Sequence, residues 1–174
     1  MSVTLILGGA RSGKSKRAEA LAQAQGLPVV YLATAPNIPN DADWQQRIHK
    51  HQQQRPKHWQ CIEEPLNLVP HIEDAARQQQ CVLLDCATLW LSNLIYHEQD
   101  VRLEIDTLCA ALAHTSAPVL LVSNELGMGL VPEHALSRQF RDAQGRLNQQ
   151  LAALATRVEF VVAGLPWILK ENKA

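Results

Sequence analysis

The sequence predicts an α/β fold in which a parallel sheet of short buried strands is flanked by helices. Short apolar, partly β-branched runs recur at residues 3–7, 28–33, 81–86, 118–123 and 158–163. They are apolar throughout rather than alternating, as a strand covered on both faces requires. Between them, apolar residues recur at helical spacing, as in Ala18, Leu21 and Ala22 or Leu108, Ala111 and Leu112. Strand and helix in alternation place successive strands side by side and parallel. No repeat, low-complexity tract or break in composition divides the chain, so residues 1–174 read as one domain.

The first run leads into Gly8-Gly9-Ala10-Arg11-Ser12-Gly13-Lys14-Ser15, which fits G-x-x-x-x-G-K-[ST] between a strand and a helix. Glycines let backbone N–H groups turn inward and wrap phosphates at the positive end of a helix. Lys14 is expected to reach the β- and γ-phosphates of ATP or GTP, and the Ser15 hydroxyl to ligate Mg²⁺. A chance glycine-rich turn rarely has this flanking context. The fold class becomes a P-loop NTPase-type parallel sheet flanked by helices, of the RecA-like kind.

The second run is followed by the least regular part of the chain, residues 34–43, whose two prolines and two asparagines predict a mobile loop. Asn40 or Asp41 can then cap a helix that runs to the residue before Pro56. This helix carries "RIHKHQQQRP" at 47–56, a basic strip with two histidines. A metal site, a nucleic-acid patch, a solvated face and a reactive imidazole all compete as explanations. His49 and His51 lie two positions apart, about 200° around a helix, so they cannot share one metal ion on a regular helix. Trp44, Ile48 and His51 share a face, and Arg47 reaches the same region. Neighbouring cations favour the neutral, nucleophilic imidazole and attract phosphate. From these residues alone, a structural or exposed histidine remains the competing reading.

The third run ends in Asp85, an acid at the carboxyl end of a buried strand beside the phosphate loop and the expected Mg²⁺ partner. Helix capping is its alternative role. The fourth run leads to Asn124, Glu125 and the glycine-bearing loop 127–129. A helix over 133–155 follows, with Leu136, Phe140, Ala143, Leu147, Leu151 and Leu154 as its buried stripe. Its other side carries Arg138, Arg141, Asp142, Gly145, Asn148 and Gln149, which read equally as a solvated face or as ligand or interface contacts. Gly145 costs about 1 kcal/mol against alanine in a helix interior, which hints at close approach by another group.

Composition narrows the partners. A formal net charge of −1 gives no bulk attraction for nucleic acid or an anionic membrane. No apolar run reaches the roughly 18 residues of a membrane span. The start lacks a basic n-region and runs into the glycine loop, so no signal peptide is expected. Cys61, Cys81, Cys86 and Cys109 form no C-x-x-C and suggest neither a zinc site nor a disulfide framework. A cytoplasmic protein is expected.

Four segments, in order, cover nearly the whole chain: "GGARSGKS" at 8–15, "RIHKHQQQRPKHW" at 47–59, "LLDCATLWLSNL" at 83–94 and "VSNELGMGLVPEHALSRQFRDAQGRLNQQLA" at 122–152. Together they resemble the bifunctional adenosylcobinamide kinase/adenosylcobinamide-phosphate guanylyltransferase family of cobalamin biosynthesis. The resemblance implies phosphorylation of adenosylcobinamide, then transfer of GMP from GTP through a guanylyl-histidine to give adenosylcobinamide-GDP. Its R-I-x-x-H-x-x-x-R-P-x-x-W pattern places that histidine at His51. Lys50 stands where some relatives carry a second histidine, and His49 and His58 become bystanders. The resemblance also implies nucleotide contacts at Ala33, Thr34, Ala35, Gln52, Gln53, Gln54, Arg55 and Glu63. The three glutamines replace residues that are often basic or small in relatives. A homotrimer is implied as well. A small-molecule kinase without guanylyl transfer and a nucleotide-gated regulatory protein are the rival functions.

Overall fold

A computed structural model describes residues 2–36, 38, 40–54 and 56–172; for Arg47, Lys50 and residues 51–54 it describes the backbone alone. In chain order the elements are β1 (Val3–Gly8), α1 (Lys14–Ala24), β2 (Val29–Ala33), α2 (Ala42–Gln54), β3 (Gln60–Glu63), α3 (Leu68–Arg77), β4 (Cys81–Asp85), α4 (Ala87–Tyr96), α5 (Val101–His114), β5 (Val119–Asn124), α6 (Ala135–Leu154), β6 (Arg157–Val162) and β7 (Leu165–Glu171). The seven strands form one sheet in the order β3-β2-β4-β5-β1-β6-β7. All neighbours pair in parallel except β7, which returns antiparallel along β6.

The five apolar runs are β1, β2, β4, β5 and β6, within a residue or so at each end. Their alternate side chains enter two cores. On one face Leu5, Val30, Leu32, Val82, Leu84 and Leu121 pack against Leu68 and Ile72 of α3, Trp90 of α4, Leu108 of α5 and Leu147 of α6. On the other Ile6, Tyr31, Leu83, Leu120 and Val122 pack against Ala18 and Ala22 of α1 and against Trp59. Small alanines let α1 lie close to the strands. Each fully buried leucine contributes about 2 kcal/mol by removal from water. Trp90 buries its indole by donating from Nε1 to the Leu66 carbonyl at 2.9 Å.

Two strands lie outside the expected set, and β7 breaks the expected parallel pattern. β3 is a short edge strand, exposed or half-buried throughout. β7 follows a two-residue turn, Ala163-Gly164, in which both residues have positive φ. Such a turn suits a hairpin because its twist matches that of the strands.

The helix expected over 133–155 is α6, but its stripe begins later than expected. Leu136 is 65% exposed, and packing begins at Phe140. Asn148, placed by sequence on the side away from the buried stripe, turns inward. Its Oδ1 accepts from Ser123 Oγ at 2.7 Å and from Gln144 Nε2 at 2.9 Å, and its Nδ2 donates to the Asn124 carbonyl at 3.0 Å. This half-buried network ties α6 to the end of β5. Among the described residues no helix is long and apolar enough to cross a membrane.

Candidate active site

The phosphate loop is shaped by two close approaches. A Cβ at Gly8 would sit 2.5 Å from Ser12 Oγ and 2.6 Å from the Val161 carbonyl, so only glycine fits where β1 ends beside β6 and the loop begins. Gly13 has φ 99°, a left-handed conformation that starts α1, and a Cβ there would meet Gly164 Cα at 3.1 Å. The hairpin between β6 and β7 therefore backs the loop, and Gly164 N–H donates to the Ser12 carbonyl at 2.8 Å. Lys14 is buried at the first residue of α1 and donates from Nζ to the Gly9 carbonyl at 2.8 Å, across the mouth of the loop.

Behind the loop, Arg17 grips Glu159 of β6 with two bonds of 2.7 and 2.9 Å, and Arg157 adds a third at 2.8 Å. The Glu159 side chain is 0% exposed. The hydrogen bonds from Arg17 hold its carboxyl below the usual range; burial opposes them and Arg157 assists. Sequence reading missed this clamp, because Arg17 and Glu159 lie 142 positions apart.

Register brings the expected acids to one sheet edge. Ala33 pairs with Glu63 on one side and with Asp85 on the other, and Asn124 pairs with Gly8. Asp85 was expected on the strand neighbouring the loop's own, but β5 lies between β4 and β1. Its Oδ2 accepts from the Tyr31 hydroxyl at 2.8 Å, a partner the sequence did not indicate. The next peptide, Asp85–Cys86, is cis. Burial pushes the Cys86 thiol up to about 11, the Asp85 charge adds to this, and nearby N–H groups and Lys14 oppose it. Cys86 is therefore a neutral thiol at physiological pH and no rival nucleophile.

The other expected contact residues are placed unequally. Ala33 and Thr34 are buried, and Thr34 Oγ1 donates to the Cys86 carbonyl while accepting from the Cys86 N–H, both at 2.8 Å. Asn93 Nδ2 donates to the Thr34 carbonyl at 2.8 Å. Thr34 thus braces the ends of β2 and β4. Ala35 is half-buried just beyond, and Glu63 is exposed at the edge. Glu125 closes its own turn, accepting from Gly127 N–H at 2.6 Å and Met128 N–H at 3.1 Å. Arg138 donates to the carbonyls of Pro132 and Glu133 at the entry to α6.

The histidine helix begins as expected, with Asp41 Oδ1 accepting from Trp44 N–H at 2.9 Å. Trp44 and Ile48 are half-buried and His49 is exposed, which fits the expected division of faces. Arg55 and the side chains of Arg47, His51, Gln52, Gln53 and Gln54 lie outside the described residues. His51 belongs to the last turn of α2 by backbone.

The donor set suits Mg²⁺ carried by nucleotide phosphates. Such an ion needs few protein ligands, all hard oxygens, and Ser15 and Asp85 offer a hydroxyl and a carboxylate. Ser12 Oγ is buried inside the loop with no hydrogen-bond partner among the described residues, as a cradle for an oxyanion would leave it. Among the described residues no cluster of three or more His, Cys, Asp or Glu could hold a metal without the phosphates.

Comparison with known proteins agrees with this geometry. The fold is similar to that of an ATPase from the type III secretion system of pathogenic bacteria, with a TM-score of 0.59 at 13% identity. The match covers 98% of this chain and 57% of that one, and it shows a RecA-like P-loop fold. The bifunctional adenosylcobalamin biosynthesis protein CobP of Pseudomonas aeruginosa is 46% identical over 168 residues, covering 95% of this chain and 96% of its own. The bifunctional adenosylcobalamin biosynthesis protein CobU of Escherichia coli is 42% identical over 176 residues, covering 92% and 96%. A family model described as cobinamide kinase / cobinamide phosphate guanyltransferase matches residues 4–169, so with relatives this similar along almost their full length, the chain belongs to that family.

Proposed function

We propose that this protein phosphorylates adenosylcobinamide with ATP or GTP and then transfers GMP from GTP to adenosylcobinamide phosphate, giving adenosylcobinamide-GDP in cobalamin biosynthesis. The observation that carries the reading is the buried Lys14 in its glycine cradle, on the same sheet edge as Asp85, in a chain of this family.

In the kinase reaction the chain supplies position and charge. Backbone N–H groups of residues 8–13 hold the phosphates, and Lys14 leaves the Gly9 carbonyl to meet the β- and γ-oxygens. Bound Mg²⁺, held by Ser15 and Asp85, supplies charge neutralisation on those oxygens. Tyr31 donates to one Asp85 oxygen and leaves the other available. In the second reaction a neutral His51 nitrogen attacks the α-phosphorus of GTP; a phosphorus–nitrogen bond forms and pyrophosphate departs with its bridging oxygen. An oxygen of the acceptor phosphate then displaces the imidazole and makes a phosphoanhydride. Residues 33–35, 52–55 and 63 surround the nucleotide in this reading. Helix α2 must swing towards the loop, and free and GTP-bound crystal structures with His51 in one place would exclude that movement.

Labelling tests the central step. Protein incubated with α-labelled GTP should acquire covalent label that is lost in acid and survives alkali, and γ-labelled GTP should leave none. Absence of α-label from active kinase would reduce the protein to a kinase alone. Added pyrophosphate should remove the label and regenerate GTP.

The supply of ATP and GTP places this chemistry in the cytoplasm. A homotrimer is the assembly we infer, supported by large apolar side chains left on the surface, such as Leu130 at 96% and Trp167 at 67% exposure. Sedimentation equilibrium at a monomer mass would overturn it.

A further inference from the structure

The geometry points to a groove on α6 as the seat of the acceptor's phosphate monoester in guanylyl transfer, an inference that rests on the proposed second reaction. The groove, about 360 Å³ and open to solvent, is lined by Gly127, Arg141, Asp142, Gly145, Arg146 and Gln149. It shares no residue with the phosphate loop, yet it begins beside it. Asn124 pairs with Gly8, Glu125 N–H donates to the Gly8 carbonyl at 3.1 Å, and Gly127 follows two residues on.

Both walls are held in place. Glu125 clamps the turn through its bonds to Gly127 and Met128, and the Ser123–Gln144–Asn148 network anchors α6 to β5. The floor has a glycine that the fold does not require. A Cβ at Gly145 would meet nothing within 4 Å, and its φ is not in the left-handed region. A helix-interior glycine with open space before it makes room for something outside the chain.

The lining selects the ligand. Two guanidinium groups face one carboxylate, a net positive balance. The Arg141 side chain is only 22% exposed, and its contact with Asp142 is 3.8 Å, too long for a charge-assisted hydrogen bond. Guanidinium groups match the oxygens of a phosphate in pairs, and Gln149 adds a neutral donor and acceptor. Because the groove is open, a large acceptor can seat its phosphate there and keep its bulk in solvent.

The test uses the full-length protein and adenosylcobinamide phosphate. Arg146→Ala should raise the KM for that acceptor about tenfold or more, as the loss of a charge-assisted bond does. Formation of label from α-labelled GTP and the KM for GTP should stay unchanged. Gly145→Ala should raise the melting temperature, since alanine favours the helix, and still weaken the acceptor. Unchanged acceptor KM in both variants would overturn the assignment. So would a parallel loss of labelling, which would put the residues in the nucleotide site, or a change of mass on size exclusion, which would make the groove a subunit contact. If wild-type protein takes no label, the proposed function fails first. Calorimetric binding of adenosylcobinamide phosphate, weakened by Arg146→Ala, then still decides the groove.

Discussion

Helices α1 and α2 carry the two residues on which the proposed chemistry turns, and they are held in opposite ways. Helix α1 buries Lys14, Ala18 and Ala22 and is clamped by the Arg17–Glu159 pair, whose partners are 142 positions apart. Helix α2 has local bonds among its described residues. Asp41 caps Trp44, Trp44 Nε1 donates to the Pro36 carbonyl at 2.8 Å, and Gln45 Nε2 donates to the Ile38 carbonyl at 3.0 Å. None of its described residues is buried. Moving α1 would break a buried ion pair, at a cost of about 3–5 kcal/mol. Moving α2 together with the loop before it would keep all three of these bonds. A fixed cradle and a helix that can be re-aimed suit a site where one phosphate loop serves two reactions.

The sharpest break between the helices comes from His51→Ala. It should abolish guanylyl transfer, by on the order of a millionfold as for other lost nucleophiles, and leave most kinase activity. His49→Ala should label normally. Labelling of His51→Ala at the wild-type level would remove α2 from the chemistry.

Lys14→Ala should instead lower both activities, each by on the order of a hundred- to a thousandfold, because both nucleotide reactions draw on the same charge. Either reaction surviving at its normal rate would reveal a second nucleotide site.

The clamp behind α1 should appear in stability. Glu159→Gln leaves Arg17 and Arg157 facing a neutral amide and should cost about 3 kcal/mol in urea unfolding at neutral pH. The folded-state pKa of Glu159 is depressed, so its contribution is complete above the ordinary carboxylate value and is lost as pH falls through the folded value. The difference between wild type and variant should therefore shrink as the solution is acidified below the ordinary carboxylate range. A difference that stays constant with pH would mean the pair is not the source.

The smallest effect should come from Asp41→Ala, which removes a cap worth about 1 kcal/mol. It should slow GMP transfer a few-fold relative to the kinase. Equal slowing of both would show that α2 is coupled to the cradle after all.

Local chemistry is legible in the amino-acid sequence. Five strands, the phosphate loop and the Asp41 cap each follow from residues a few positions apart, where apolar run length, glycine placement and a capping carboxylate decide the backbone. The hairpin β6–β7 was legible too, had Ala163-Gly164 between two apolar runs been read as a two-residue turn. β3 was not, since an exposed four-residue edge strand has no apolar signature.

What the sequence determined by itself is therefore the set of parts: buried strands, a phosphate-binding turn, a capped helix carrying His51, and an acid ending a strand. How they meet is a product of long-range packing. It interposed β5 between Asp85 and the loop, gave Asp85 the Tyr31 hydroxyl, turned Thr34 into a brace on Cys86, drew Asn148 inward and sealed Glu159 between two arginines. Apart from Arg157 with Glu159, two residues apart on β6, these contacts join segments distant in sequence. Strand order and register bring them together, and a pattern of neighbours along the chain does not specify either one.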